Sequence, residues 1–191
     1  MNELKVLSYD LRKHVVDMII AGKGGHIGGD MSVMEILVEL YMKQMNISPE
    51  NKDSDNRDRF VLSKGHSVES YYAVLAKKGF FPMEEVISTF SQFGSKFIGH
   101  PNNKLPGIEM NSGSLGHGLP VCVGMAMAGK MDRKDYRVYV VMGDGELAEG
   151  SVWEGAMAAS HYCLDNLCAV VDVNGLQIDG PTAKVMNSEP L

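Results

Sequence analysis

Two apolar runs of seven residues, YRVYVVM (136–142) and LCAVVDV (167–173), constrain this chain more than any other feature. Runs this short, rich in β-branched residues and bounded by turn formers, read as buried strands rather than helices. Between them, residues 149–163 carry helical spacing. Strand, helix, strand in that order argues a parallel pair, because parallel neighbours need a crossover of a dozen or more residues. Both runs end alike. GDGELAEG (143–150) follows the first and DVNGLQIDG (172–180) closes the second, so Asp144 and Asn174 stand where the strands stop. Right-handed crossovers put both at one carboxyl edge, where such sheets hold their ligands. Adjacent strand ends lie about 5 Å apart.

The rest of the chain extends that plan. Leu4, Leu7, Leu11, Val15, Met18 and Ile19 recur at helical spacing and predict an amphipathic helix over 3–21. The loop GKGGHIGGD (22–30) ends it, and a second helix is expected over Met31–Met45. After the polar segment 46–58 come a short strand, RFVLS (59–63), and a helix over 66–79 that stops at glycine. A short helix starts after Pro82, the stretch from Gly94 to Asn111 is irregular, and NSGSLGHGLP (111–120) leads into a small-residue helix over 121–131. Alternating strands and helices from residue 59 onward argue an α/β fold, a mainly parallel sheet flanked by helices, in one domain covering 1–191.

Asp144 and Asn174 each have an ordinary reading, since Gly-Asp-Gly and Asn-Gly are common turn formers. Paired at crossover spacing, they offer a carboxylate, an amide and backbone carbonyls, a donor set for a hard cation such as Mg²⁺ or Ca²⁺. An EF-hand reading of DVNGLQIDG fails, because Leu176 occupies the fifth position and the glycine falls one place early. Three of the six histidines, His26, His66 and His100, sit in loops, two of them before helices. They are as consistent with structural roles as with a shared site that relays protons or bonds hydroxyls. NSGSLGHG (111–118) presents free backbone N–H groups before a helix, a candidate anion cradle that could equally serve close packing. Glu149 suits a helix N-terminus. Trp153 and Met157 are expected in the core.

Bulk properties narrow the class. A net charge of −6 argues against general nucleic-acid binding without excluding phosphorylated ligands, which local groups hold. Cys122, Cys163 and Cys168 lie in apolar surroundings and are expected to be buried thiols of a reducing compartment. Charged residues in the first turns give no signal-peptide pattern, and no apolar run approaches a membrane span. A cytoplasmic location is expected.

Taken together, the motifs resemble the diphosphate-binding N-terminal part of transketolase. Gly143-Asp144-Gly145 and Asn174 match the GDG…N pattern of thiamine diphosphate enzymes, and residues 172–180 match the transketolase form of its second half. LSKGHSVESYYAVLA (62–76) and GSLGHGLPVCVGMAMA (113–128) are similar to family segments. GGHIGGDMS departs from the family's Gly-His-Pro-Gly loop by Ile27, and His117 stands where many relatives have glutamine. The resemblance runs from about residue 5 to 181.

The resemblance implies a thiamine-diphosphate-binding fold and a family reaction that moves a two-carbon ketol unit from a ketose phosphate to an aldose phosphate. It places Asp144, Asn174 and the Leu176 carbonyl on the metal. His66, Gly113, Ser114, Leu115, Gly143, Gly145 and the backbone at Glu146 would contact the cofactor. His26 and His100 would line the sugar channel, and Glu149 would link two cofactor sites across a dimer. The glutamate that activates the aminopyrimidine belongs to a separate pyrimidine-binding domain. The chain is therefore expected to be the N-terminal subunit of a split transketolase, C-terminally incomplete and inactive without its partner chain, in a homodimer or heterotetramer. A subunit of the related deoxyxylulose-phosphate synthase and a non-catalytic dimerising remnant are the alternatives.

Overall fold

The computed structural model describes residues 3–191, so the first two residues of the expected domain lie outside the described residues. The chain divides into two compact units. One comprises residues up to Arg57 together with Gly65–Asn111, and the other Asp58–Lys64 with Ser112–Leu191.

The first unit is helical. Helix α1 (Glu3–Gly22) packs its Leu11, Val15 and Met18 stripe against α2 (Ile27–Glu39), which ends in a π-helical turn, Leu40–Gln44. Arg12 of α1 bonds both oxygens of Glu35 and the Met31 carbonyl, tying the two helices outside their apolar seam. The expected start at Met31 is four residues late. Helix α2 begins in the glycine-rich stretch because Gly28 and Gly29 form its first turn, and a Cβ at Gly29 would sit 2.7 Å from Ser67 Oγ and 3.1 Å from the His66 ring. Those glycines permit close approach.

A single 3₁₀ turn at Gly65–Ser67 opens α3 (Val68–Lys78), whose first eight residues are all buried. Gly79 caps it in the left-handed conformation at φ 101°, as its glycine end predicted. After α4 (Met83–Thr89), the irregular stretch is held by an aromatic cluster in which Tyr72, Phe81 and Phe97 meet edge to face at 5.0–6.3 Å. The Tyr72 hydroxyl lies 3.1 Å from the carbonyls of both Ile98 and His100 and donates to this pair, fixing that loop.

The second unit is α/β. Strands β1 (Arg59–Leu62), β2 (Val138–Gly143) and β3 (Leu167–Asp172) form a parallel sheet in that order. Helix α5 (Gly118–Met131) packs on the sheet and on α6 (Gly150–His161). Gly155 of α6 allows the crossing, since its Cβ would stand 3.2 Å from the Pro120 nitrogen. A two-residue antiparallel ladder, β4 (Leu176–Gln177) with β5 (Gly180–Pro181), and a single turn α7 (Thr182–Val185) follow. The α/β expectation, with a parallel sheet and flanking helices, holds.

Three expectations of burial do not. β2 is buried along five of its six residues, but β3 is only partly covered, with Cys168 and Ala169 exposed. β2 is paired on both sides, whereas β3 has one paired neighbour and no strand on its outer side among the described residues. Cys122 is buried under α5, but Cys163 and Cys168 are exposed. Trp153 and Met157, expected in the core, are 51% and 66% exposed, because α6 turns Val152 and Gly155 inward and these residues lie on its other face.

Candidate functional site

The strand register decides the first question. Gly143 pairs with Asp172, so the turns after β2 and β3 leave the sheet side by side at its carboxyl edge. Asp144 is 3% exposed, and its carboxylate accepts from the Gly145 N–H at 3.0 Å and from the Gly175 N–H at 3.0 Å, with the Thr182 hydroxyl at 3.4 Å. One strand-end turn is thus clamped to the other through Asp144. The Asn174 side chain accepts from the Leu176 N–H at 2.9 Å, shaping the turn into β4. Asp144, Asn174 and Leu176 are brought together as the sequence predicted.

Beneath this clamp lies a centre that the sequence did not reveal. Glu146 is 2% exposed, and its carboxylate gathers three segments. One oxygen accepts from the Ser63 hydroxyl and from the Gly116 N–H at 2.8 Å, the other from the Gly143 N–H at 3.2 Å. Ser63 Oγ in turn accepts from the Gly118 N–H at 3.1 Å, the Ser112 hydroxyl donates to the Leu62 carbonyl at 2.6 Å, and the Ser151 hydroxyl donates to the Gly116 carbonyl at 2.8 Å. The glycine loop 112–118 is therefore pinned to the ends of β1 and β2. Close packing requires its glycines. A Cβ at Gly116, which has φ 83°, would stand 2.6 Å from Glu149 Cβ, and one at Gly118 would overlap Ser63. Gly113, Ser114 and Glu149 are exposed around this loop, and Leu115 is half-buried.

Lys64 and Asp172 form a buried ion pair at 2.5 Å, with side chains 1% and 7% exposed. Their types gave no signal, since a lysine beside glycine reads as surface. Gln177 packs over Gly145, where a Cβ would meet its Cγ at 2.8 Å, and its Nε2 donates to the Gly145 carbonyl at 3.3 Å. Its Oε1 is buried without a partner and faces this turn region.

In the first unit, the three loop histidines converge. His26 stands 5.6 Å from His66 and 5.9 Å from His100, ring centre to ring centre, in edge-to-face arrangements. Partial burial, and then the neighbouring His26, push the His100 pKa below the ordinary value. The cluster is backed by two fully buried acids, Asp30 on α2 and Glu69 on α3. Asp30 Oδ1 accepts from the Ser70 N–H at 2.8 Å, and the Ser70 hydroxyl donates to the Asp30 carbonyl at 2.9 Å. Burial first, and the Glu69 charge second, push Asp30 up to about 8, and burial raises Glu69 as well.

A shallow depression lined by Leu119, Ala156, Leu164, Leu167 and Ala169 lies at the α5, α6 and β3 seam. It is apolar and includes Leu167, at the end of β3 remote from Asp172, so it is a packing feature rather than part of the site. No group of three or more His, Cys, Asp or Glu side chains suited to a metal ion occurs among the described residues. The Asp144, Asn174 and Leu176 set is of another kind, one carboxylate with neutral oxygens.

The family model for "Transketolase, thiamine diphosphate binding domain" matches residues 5–190. The chain belongs to the transketolase family. Among curated relatives, one of the two kinds of chain that make up a split enzyme, from the apulose-4-phosphate transketolase of Phocaeicola vulgatus, is 51% identical over 188 residues, covering 98% of this chain and 66% of that protein. The 6-deoxy-6-sulfo-D-fructose transketolase subunit SqwG of a Clostridium species is 45% identical, covering 87% of this chain and 61% of that protein. This transketolase chain thus spans somewhat under two thirds of these relatives. The transketolase structure from Campylobacter jejuni superposes with a TM-score of 0.92 at 31% identity, over 99% of this chain and 31% of that one. The glycine cradle and the strand-end clamp accordingly belong to a domain whose family binds thiamine diphosphate. The residues fit that group: the buried carboxylate of Asp144 is held by backbone N–H groups, Gln177 Oε1 is an orphaned acceptor beside it, and the glycines keep the loop backbone open. No helix among the described residues is long and apolar enough to cross a membrane.

Proposed function

We propose that this chain is the diphosphate- and metal-binding subunit of a split transketolase, which transfers a two-carbon ketol unit between ketose and aldose phosphates with a pyrimidine-domain partner chain. The carrying observation is the Glu146 centre. It fixes the glycine loop and the end of β2, while Asp144 joins that strand end to the Asn174 turn. The relatives named as transketolase subunits, and the partial coverage of full transketolases, support a two-chain enzyme.

In this reading Asp144, Asn174 and the Leu176 carbonyl hold Mg²⁺ or Ca²⁺, hard cations that take oxygen donors. Gly113, Ser114, Leu115, Gly143, Gly145 and the backbone at Glu146 receive the cofactor, with His66 contacting its diphosphate. Bound thiamine diphosphate supplies the electron sink for breaking and making the carbon–carbon bond. The chain's own residues do the rest. His26 and His100 bond the sugar hydroxyls and move protons at them, a role suited to imidazoles held close to neutrality. Glu149 lies on the exposed side of the cradle, where it links to a second copy. Ketose phosphates of the kind named for the relatives, such as apulose 4-phosphate, are the first donors to try.

The decisive test mixes the chain with its pyrimidine-domain partner, thiamine diphosphate and Mg²⁺, and follows ketol transfer from apulose 4-phosphate and xylulose 5-phosphate. Transfer with the mixture, none with either chain alone, and loss on Asp144→Ala are expected. A mixture that binds cofactor but transfers nothing from any ketose phosphate would sink the reading.

A further inference from the structure

The carboxyl pair behind the histidines takes no part in the proposed chemistry. Asp30 and Glu69 are both fully buried, yet Asp30 Oδ2 and both Glu69 oxygens have no hydrogen-bond donor when every oxygen is taken as an acceptor. Ser67 Oγ beside them is orphaned too. No lysine or arginine among the described residues pairs with either acid. Two ionised carboxylates in such surroundings repel each other and lose their hydration, a cost proteins avoid by keeping a proton. A proton on one acid also supplies the missing donor, since the two carboxyls stand within hydrogen-bonding reach of each other.

The pair is not isolated from the site. Glu69 Oε1 occupies the space where a side chain at residue 25 would go, so the acid lies against the backbone of Gly25, one residue before His26. The backbone amide and ring of His26 favour the ionised Glu69, against its burial. The groups facing the pair are few. From the loop before α2 comes His26, from α3 comes the Tyr72 hydroxyl, whose phenol feels the Glu69 charge, and α1 contributes only apolar Ile19 at this spot.

We propose that Asp30 and Glu69 share one proton and act as a positioning pair for His26, Asp30 anchored on Ser70 and Glu69 set against the Gly25–His26 backbone. The pair then holds one negative charge beside the imidazole over the middle pH range. It acquires the second only in alkali. That the ring held in this way faces a sugar rests on the proposed ketol transfer, whereas the shared proton does not.

Carbon-detected carboxyl spectra of the whole chain, titrated across pH, test the pair directly. Coupled acids titrate with common midpoints rather than separate ones. Asp30 and Glu69 are expected to show the same two steps, the upper near the value of about 8 that the burial of Asp30 gives. In Glu69→Gln the Asp30 step moves to lower pH and becomes single, and in Asp30→Asn the Glu69 profile becomes single. The ring ¹⁵N signals of His26 carry an inflection at the upper step, absent in both variants, while those of His161 on α6 carry none. Independent titration of the two acids, or an Asp30 profile unchanged in Glu69→Gln, overturns the shared proton. A His26 inflection that survives both substitutions overturns the positioning role. Should a variant fold poorly, the wild-type carboxyl titration still decides the first point. Wild-type chain that shows all these titrations but transfers no ketol unit with its partner would overturn the enzymatic reading and leave the pair standing.

Discussion

The two units each bury acids beside the residues expected to act, and they treat those acids in opposite ways. Glu146 is surrounded by donors, a hydroxyl and two backbone N–H groups, and Asp172 has the Lys64 ammonium at 2.5 Å. Asp30 has the Ser70 N–H on one oxygen, while its other oxygen and both of Glu69's have no donor. A satisfied buried carboxylate is an architectural part that fixes whatever donates to it. An unsatisfied one is a proton store, whose charge depends on pH and on its neighbours. The carboxyl edge is built from the first kind and the histidine cluster is backed by the second.

Removing a donor should turn the first kind toward the second. Lys64→Met strips Asp172 of its cation, and breaking a buried pair from one side costs about 3–5 kcal/mol. Denaturant unfolding at neutral pH measures it, and the loss should shrink in acid, where Asp172 takes up a proton. A variant as stable as wild type would mean the pair is not buried in solution. Glu146→Ala leaves a hydroxyl and two N–H groups without their acceptor and should cost about 2–4 kcal/mol. It should also abolish thiamine diphosphate binding, read by calorimetry with the partner chain present, because the glycine loop loses its anchor.

The histidine-side acids predict a pH dependence. Asp30 has a native pKa raised from 3.8 to about 8, so between those values the native chain holds a proton that the unfolded chain has released. Its stabilising contribution is complete below the unfolded value and is lost as pH rises through the folded one. The melting temperature should therefore fall by roughly 3–8 °C between pH 5 and pH 9, and Asp30→Asn should flatten that slope. A slope unchanged in Asp30→Asn would assign the effect elsewhere. The smallest effect is at His100. Burial is the first cause of its lowered pKa and His26 the second, so His26→Asn should raise the His100 midpoint only part of the way back. Ring-proton titration would show it, and a full return would reverse the order of the causes.

Much of the carboxyl edge is legible in the residues. The spacing of Asp144 and Asn174 predicts neighbouring strand ends, and the Gly143–Asp172 register bears it out. The order of strands and helices is equally plain, because periodicity is a local property. Burial is not. LCAVVDV reads as apolar as YRVYVVM, yet one strand is paired on both sides and the other on one, and no residue within β3 records how many neighbours it has. Cys168 and Trp153 depart from expectation for the same reason, since an apolar residue on a helix or strand does not announce which face will be covered. The acids behind the sites are hidden for a further reason. The motif around Glu146 points to its backbone, and its carboxylate matters only because Ser63 and Gly116 fold against it. Asp30 and Glu69 lie 39 positions apart on different helices, with nothing in either local pattern to join them.

The Glu146 contacts also bear on how the second unit comes together in time. Its donors lie 83, 30 and 3 residues away along the chain, and Lys64 reaches Asp172 across 108. A carboxylate leaves water at a loss unless its partners have arrived, so a half-assembled edge is less stable than either the open chain or the finished one. Closing such long loops before any contact rewards them makes the folding of this unit slow and all-or-none. The cofactor cradle is then either whole or absent, and no partly formed cradle accumulates to capture a phosphate.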